Sequence, residues 1–213
     1  MKHYDHFVFD IDGTLIDTES TGVLSLIRTI RDLMDVDMPY EEALRFFGIP
    51  SSAVAPILGY RDERGFAEHW EMRFVEMSGL IKPFEGVEGA LAAIKKAGRH
   101  IGCVTSRNSY EFAKDIHLAK LVPYFDHIVC SEDSESHKPS PGPMLAYMRK
   151  AGEAAGIAVL PEDCLYLGDT FYDYRCGHDA GCDFALADWR CRGLQNIPAQ
   201  YHFTDAAGIL KLL

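Results

Sequence analysis

Apolar residues along this chain follow two rhythms. Five short β-rich stretches recur, at about 5–11, 99–105, 126–130, 163–168 and 182–187. Between the later ones, apolar positions repeat at helical spacing. Val87, Leu91 and Ile94 do so over 87–97, and Met144, Leu145, Met148 and Ala151 over 142–156. Over 107–121 the repeat is Phe112, Ile116 and Leu121, with Asn108 and Glu111 placed to cap the start of a helix. Strands alternating with helices predict parallel βαβ units, and so an α/β fold with a doubly wound, Rossmann-like parallel sheet.

From about 17 to 83 that alternation stops, and no convincing strand is found. A first helix there carries Val23, Leu26, Ile27, Ile30, Leu33 and Met34 on one face, and a last one carries Phe66, Trp70, Phe74 and Met77. Shorter helical pieces near 40–47 and 51–58 are separated by Gly48-Ile49-Pro50 and closed by Gly59. The expected organisation is a core of residues 1–16 and 84–213, interrupted by a small helical domain at 17–83. The aromatic and Met stripes of the insert read as helix packing.

Composition narrows the class. With 47% apolar and 25% charged residues over 213 positions, the chain has the make-up of an ordinary globular protein with one good core. No apolar run approaches a membrane span, and Asp5, His6 and Asp10 interrupt the candidate apolar segment of a leader, so a cytoplasmic location is expected. A net charge of −11 without a Lys/Arg cluster argues against a nucleic-acid partner. Cys103, Cys130, Cys164 and Cys182 lie in apolar runs and read as small core residues; Cys176 and Cys191 are not placed by pattern.

The chemistry gathers just beyond the strands. Asp10-Ile11-Asp12-Gly13-Thr14 follows Phe7-Val8-Phe9, Thr105-Ser106 follows Ile101-Gly102-Cys103-Val104, and Lys138-Pro139-Ser140-Pro141 comes after the strand ending near Cys130. Gly168-Asp169-Thr170, with Asp173 four residues beyond Asp169, follows Leu165-Tyr166-Leu167. Parallel strands bring all four segments to one edge of the sheet, where ligands of open α/β sheets bind. Crowded carboxylates repel unless a cation joins them, and oxygen ligands favour Mg²⁺.

Several carboxylates, a hydroxyl and one ammonium make a site for a metal and a phosphoryl group. Asp10 is the candidate nucleophile and Asp12 the candidate general acid and base. Thr105, with Ser106 and the backbone around Gly13 and Thr14, is expected to hydrogen-bond the phosphoryl oxygens. Lys138 supplies positive charge to the phosphate and to Asp10. Asp169 is a candidate metal ligand, and Asp173 a ligand or the orienter of a metal-bound water.

With these motifs in this order, the chain resembles the haloacid dehalogenase-like superfamily, in its capped phosphatase branch. Asp10-Ile11-Asp12-Gly13-Thr14 matches the DxDGT motif, Val104-Thr105-Ser106 the second motif, Lys138-Pro139-Ser140-Pro141 the third, and Gly168 to Asp173, with Ala180-Gly181 downstream, the fourth. The resemblance implies that Asp10 and Asp169 hold Mg²⁺ together with the backbone carbonyl of Asp12, and that the helical insert is a cap. It points to phosphoglycolate phosphatases and related pyrophosphatases acting on small phosphorylated metabolites. Asp12 argues against the dehalogenase branch. The absence of any Lys between Ile16 and Ile81 argues against the phosphonate hydrolases, which use a cap lysine.

Relatives of the β-phosphoglucomutase type tend to have Val where this chain has Thr14, so a phosphomutase is the nearest alternative. A non-catalytic, phospho-accepting signalling protein is a more distant one, since its acceptor lies on a later strand and it lacks the insert. Substrate choice is expected from the segment Arg45-Phe46-Phe47-Gly48-Ile49-Pro50, chiefly Arg45 and Gly48, and from Arg107 as a further anion contact. His137, beside Lys138, is expected to be exposed.

Overall fold

The computed structural model describes residues 2–47, 49, 51–191 and 196–213, with Ser51 and Ser52 described in their backbone only. In chain order the elements are β1 (His6–Phe9), β2 (Ile16–Asp17), α1 (Glu19–Met34), α2 (Tyr40–Ala43), α3 (Ser51–Ile57), α4 (Glu63–Glu76), β3 (Lys82–Pro83), α5 (Val87–Lys96) and β4 (His100–Val104). There follow α6 (Ser109–Lys114), β5 (His127–Val129), α7 (Gly142–Ala155), β6 (Cys164–Gly168), α8 (Phe171–Asp179), β7 (Asp183–Ala187) and β8 (Tyr201–Phe203), joined by short 3₁₀ turns.

The chain divides into two compact units, Met1–Ile16 with Pro83–Leu213, and Asp17–Lys82. The first is an α/β unit whose six strands are ordered β5-β4-β1-β6-β7-β8, every described pairing being parallel. β1 lies in the middle because its His6-Phe7-Val8-Phe9 is buried throughout, as a strand covered on both faces requires. Val8, Tyr166 and Phe184 from three strands meet Met144, Tyr147 and Met148 of α7 in one core.

The register then places the chemistry. Phe9 pairs with Cys103 on one side and with Leu167 on the other, so the residues just beyond, Asp10, Val104-Thr105 and Gly168-Asp169, emerge at one level of the carboxyl edge. The second unit is helical: Val23, Leu26 and Ile30 of α1 pack with Ala43, Val54, Ala55 and Phe66, and Trp70 donates to the Ser25 hydroxyl at 2.9 Å.

Several expectations need correction. The helix expected over 107–121 ends at Lys114, and Ile116 is exposed while Leu118 and Leu121 are buried. The Asp115 side chain accepts the His117 N–H at 2.8 Å, which turns the chain out of the helix. The Asn108–Glu111 capping box does form. On α7, Leu145 points outwards and Tyr147 takes the buried position, since 144, 147, 148 and 151 share a helical face and 145 lies about 100° away. β8 was not anticipated. Cys176 joins the four expected core cysteines, whereas Cys191 is exposed.

Candidate active site

The Asp10 N–H donates to the Leu167 carbonyl at 2.9 Å, locking the end of β1 to β6. Beyond it the chain turns tightly. The N–H groups of Thr14, Leu15 and Ile16 all donate to the Ile11 carbonyl, and that of Gly13 to the Ile16 carbonyl. Gly13 has φ of 84°, a left-handed conformation, and a Cβ there would overlap the Asp169 carboxylate, so glycine is required twice over. The turn thus consumes the N–H groups of Gly13 and Thr14, which had been expected to face phosphate, and leaves those of Ile11 and Asp12 out of its bonding.

Opposite this turn, Lys138 is brought in by the segment that follows β5. Its ammonium is buried and bridges two carboxylates, donating to Asp10 Oδ1 at 2.6 Å and Asp173 Oδ1 at 2.7 Å. Asp173 comes from the first turn of α8. There Thr170 is the N-cap, its hydroxyl accepting the Asp173 N–H at 3.2 Å and donating to Asp173 Oδ2 at 2.5 Å. The Tyr166 hydroxyl, from inside β6, donates to Asp173 Oδ1 at 3.1 Å. Asp169 completes the group: one carboxylate oxygen from each of Asp10, Asp169 and Asp173 lies within 4.8 Å of the others, and all three residues are buried.

The carboxylates crowd and repel one another. Burial pushes the Asp10 carboxyl well above its ordinary range; Lys138 works against that shift, and Asp173, Asp169 and Asp12 add to it. Burial alone would lower the Lys138 pKa, but the carboxylates of Asp10 and Asp173 outweigh it and hold the ammonium charged. Three buried carboxylates, each offering an oxygen to the same small space, fit a hard divalent cation. Asp173 is already engaged by Lys138, Tyr166 and Thr170.

Thr105 is buried beside this cluster, and its hydroxyl accepts the Arg107 N–H at 3.1 Å. Asp12, half-exposed, stands apart from the three carboxylates. Both of its oxygens accept from Arg107, at 2.6 and 2.8 Å. Arg107, expected as a further anion contact, is held here by two carboxylates, Asp12 and Asp115. Ser106 and His137 are exposed, and Arg45 is an exposed residue on a 3₁₀ turn of the helical unit. Gly48 and Pro50 lie outside the described residues.

Three residues escaped the sequence reading. Tyr166 sat within an apolar run, although a buried tyrosine needs a partner for its hydroxyl, which was a usable signal. Trp189, just past β7, donates to the Thr14 carbonyl at 2.7 Å and so braces the turn behind Asp10. Asp115 carried no signal of its own.

Comparison with known proteins gives this geometry a family. Residues 7–187 match the family model described as haloacid dehalogenase-like hydrolase. The chain belongs to the haloacid dehalogenase-like hydrolases. A pyrophosphatase PpaX from Bacillus cereus is 29% identical over 188 residues, covering 87% of this chain and 84% of the relative. One from Bacillus mycoides is 29% identical over 211 residues, covering 97% and 95%. Among solved structures, a Lactobacillus plantarum protein assigned as a phosphoglycolate phosphatase superposes with a TM-score of 0.83 at 21% identity, covering 99% of this chain and 100% of that one. A Thermotoga maritima protein assigned as a β-phosphoglucomutase gives 0.74 at 22%, covering 98% and 97%. At such identities the structural likenesses speak for the fold of this hydrolase family alone. Among the described residues, no helix is long and apolar enough to cross a membrane.

Proposed function

We propose that this hydrolase is a Mg²⁺-dependent phosphatase that cleaves a small phosphorylated metabolite through an aspartyl-phosphate on Asp10. The observation that carries the reading is Lys138 bridging Asp10 and Asp173 beside Asp169, at the carboxyl edge of a parallel sheet. Asp10 and Asp169 would hold the cation, with the Asp12 carbonyl as the family resemblance implies; when bound, it would offset the negative charge of nucleophile and phosphate.

The chain's own groups divide the rest of the work. Lys138 occupies Asp10 Oδ1, so Oδ2 is the oxygen that attacks phosphorus. As the Oδ2–P bond forms, the P–O bond to the leaving group breaks, and Asp12 gives that oxygen a proton. Water then attacks phosphorus, Asp12 takes its proton, and Asp10 and inorganic phosphate are released. Thr105 and the N–H groups of Ile11 and Asp12 are the candidates to bind the phosphoryl oxygens. Asp173, fastened by Tyr166 and Thr170, keeps Lys138 aimed at Asp10.

The test is Mg²⁺-dependent phosphate release from a panel of pyrophosphate, phosphoglycolate, sugar phosphates and nucleotides, with Asp10→Asn as the blank. The PpaX relatives put pyrophosphate first in that panel. Release from wild type and none from the folded variant is expected. Equal release from both overturns the assignment of Asp10.

A further inference from the structure

Resting on the reading of Asp12 as general acid and base, the contacts of Arg107 say something about the substrate. The guanidinium donates from Nε and from one terminal nitrogen to the two oxygens of Asp12, at 2.8 and 2.6 Å, a two-pronged grip. Its other terminal nitrogen donates to Asp115 Oδ2 at 2.5 Å. The two partners differ in how firmly they are held. Asp115 has a side-chain exposure of 8%, and its second oxygen accepts the His117 N–H, whereas the Asp12 side chain is 36% exposed. Asp115 is thus the anchor, and Asp12 is the partner that can turn to water at little cost.

In this arrangement the guanidinium fixes the orientation of the Asp12 carboxylate, since each of its oxygens accepts one N–H. The grip must open before Asp12 can meet the leaving oxygen. Only something that takes up those two N–H groups in its place will open it cheaply, since Asp115 holds only the other terminal nitrogen and largely buried charged donors left without acceptors are costly. Arg107 lies on the leaving-group side, because that is the side Asp12 serves, and its backbone is tied to Thr105.

We propose that Arg107 is a shared arm: at rest it holds Asp12, and a second anionic group next to the scissile phosphate takes its place on the guanidinium and frees Asp12 to act. The substrates favoured are then those whose leaving group is itself an anion, a phosphate or a carboxylate. A phosphate ester of a neutral alcohol cannot perform the exchange.

Two measurements on the full chain test this. The first compares kcat and KM for inorganic pyrophosphate and for glycerol 3-phosphate in wild type and Arg107→Met. The ratio of kcat/KM for the two substrates is expected to fall about 10- to 100-fold in the variant, the size of a lost charged hydrogen bond. An equal fall on both substrates overturns the proposal, since it is what a purely structural role predicts. The second needs no turnover. Binding of pyrophosphate with Mg²⁺ is measured by calorimetry in Asp10→Asn, alone and combined with Asp12→Asn, Arg107→Met or both. Removing the competing Asp12 charge is expected to tighten binding about 10-fold when Arg107 is present and far less when it is absent; additive effects overturn the exchange. If Arg107→Met does not fold, Arg107→Lys keeps a charge beside Asp115 and loses only the fork, and the same two comparisons are read on it. Wild type that releases phosphate from nothing in the panel removes the phosphatase reading, while the binding comparison still decides whether Asp12 and an anion compete for Arg107.

Discussion

The two edges of the six-stranded sheet both gather ionisable side chains and treat them oppositely. At the amino edge, Arg99 pairs with Asp5 at 2.7 Å and Lys95 with Asp126 at 2.6 Å. Asp126 also accepts the Ile101 N–H, while His6 stacks on His100 and lies 3.0 Å from the Tyr147 hydroxyl. A cavity of about 500 Å³ opens there. At the carboxyl edge, three buried carboxylates crowd together, two of them on the Lys138 ammonium. One strand serves both, since β1 begins at His6 and Asp10 directly follows its end. The amino edge has a cavity, and its acids Asp5 and Asp126 have found bases. What marks the carboxyl edge as the place for chemistry is the crowding of buried carboxylates, with the raised pKa of Asp10 that follows from it.

The sharpest way to break this comparison is to remove one of the crowded carboxylates. Asp10→Asn keeps the shape, and is expected to cut turnover by at least about 10³-fold while the thermal midpoint in the absence of metal rises or holds, because a buried like charge is gone. A midpoint that drops by several degrees would mean that the pair with Lys138 outweighs the repulsion from the other carboxylates. Lys138→Met does the reverse and leaves Asp10 and Asp173 without their cation. A loss of about 3–5 kcal/mol of stability is expected from urea unfolding, partly recovered on adding Mg²⁺; no recovery would count against a metal at this edge.

Smaller changes sharpen the contrast. Tyr166→Phe removes the hydroxyl that fastens Asp173, and is expected to cost about 1 kcal/mol with a fall in kcat greater than any change in KM, because only the aim of Lys138 suffers. The smallest effect belongs to the amino edge. Burial, with His100 nearby, lowers the pKa of His6, and burial lowers that of His127. The unfolded chain therefore binds more protons near the ordinary histidine range, and these rings make stability rise with pH and fall as pH drops through about 6.5. Asp10, with its raised pKa, pushes the other way in metal-free protein. The urea midpoint of wild type minus that of His6→Gln/His127→Gln, at pH 7.5 and 5.5, isolates the rings; a difference that does not shrink at the lower pH would show that they do not titrate there.

Much of the fold was legible because its signals are local. The apolar runs of β1, β4, β6 and β7 are buried strands, and the Asn108–Glu111 box caps α6 as its spacing requires. Tyr201-His202-Phe203 gave no such signal. Three residues become a strand only because β7 offers them an edge and Phe203 a place to be buried. Likewise Ile116 fits a helical repeat on paper, yet is exposed because Asp115 ends the helix.

The chain by itself determined which residue types stand at the ends of which strands. Asp10, Thr105, Lys138, Asp169 and Asp173 each follow an apolar run or a turn signal a few residues long, and parallel βαβ order then sends them to one edge. Tertiary structure alone decided who holds whom. Lys138 chose Asp10 and Asp173, 128 and 35 residues away, and Arg107 took Asp12, 95 residues away. A motif records identity and order along the chain, whereas the partner of a charge depends on distances of a few ångströms between segments that only the packed sheet brings together.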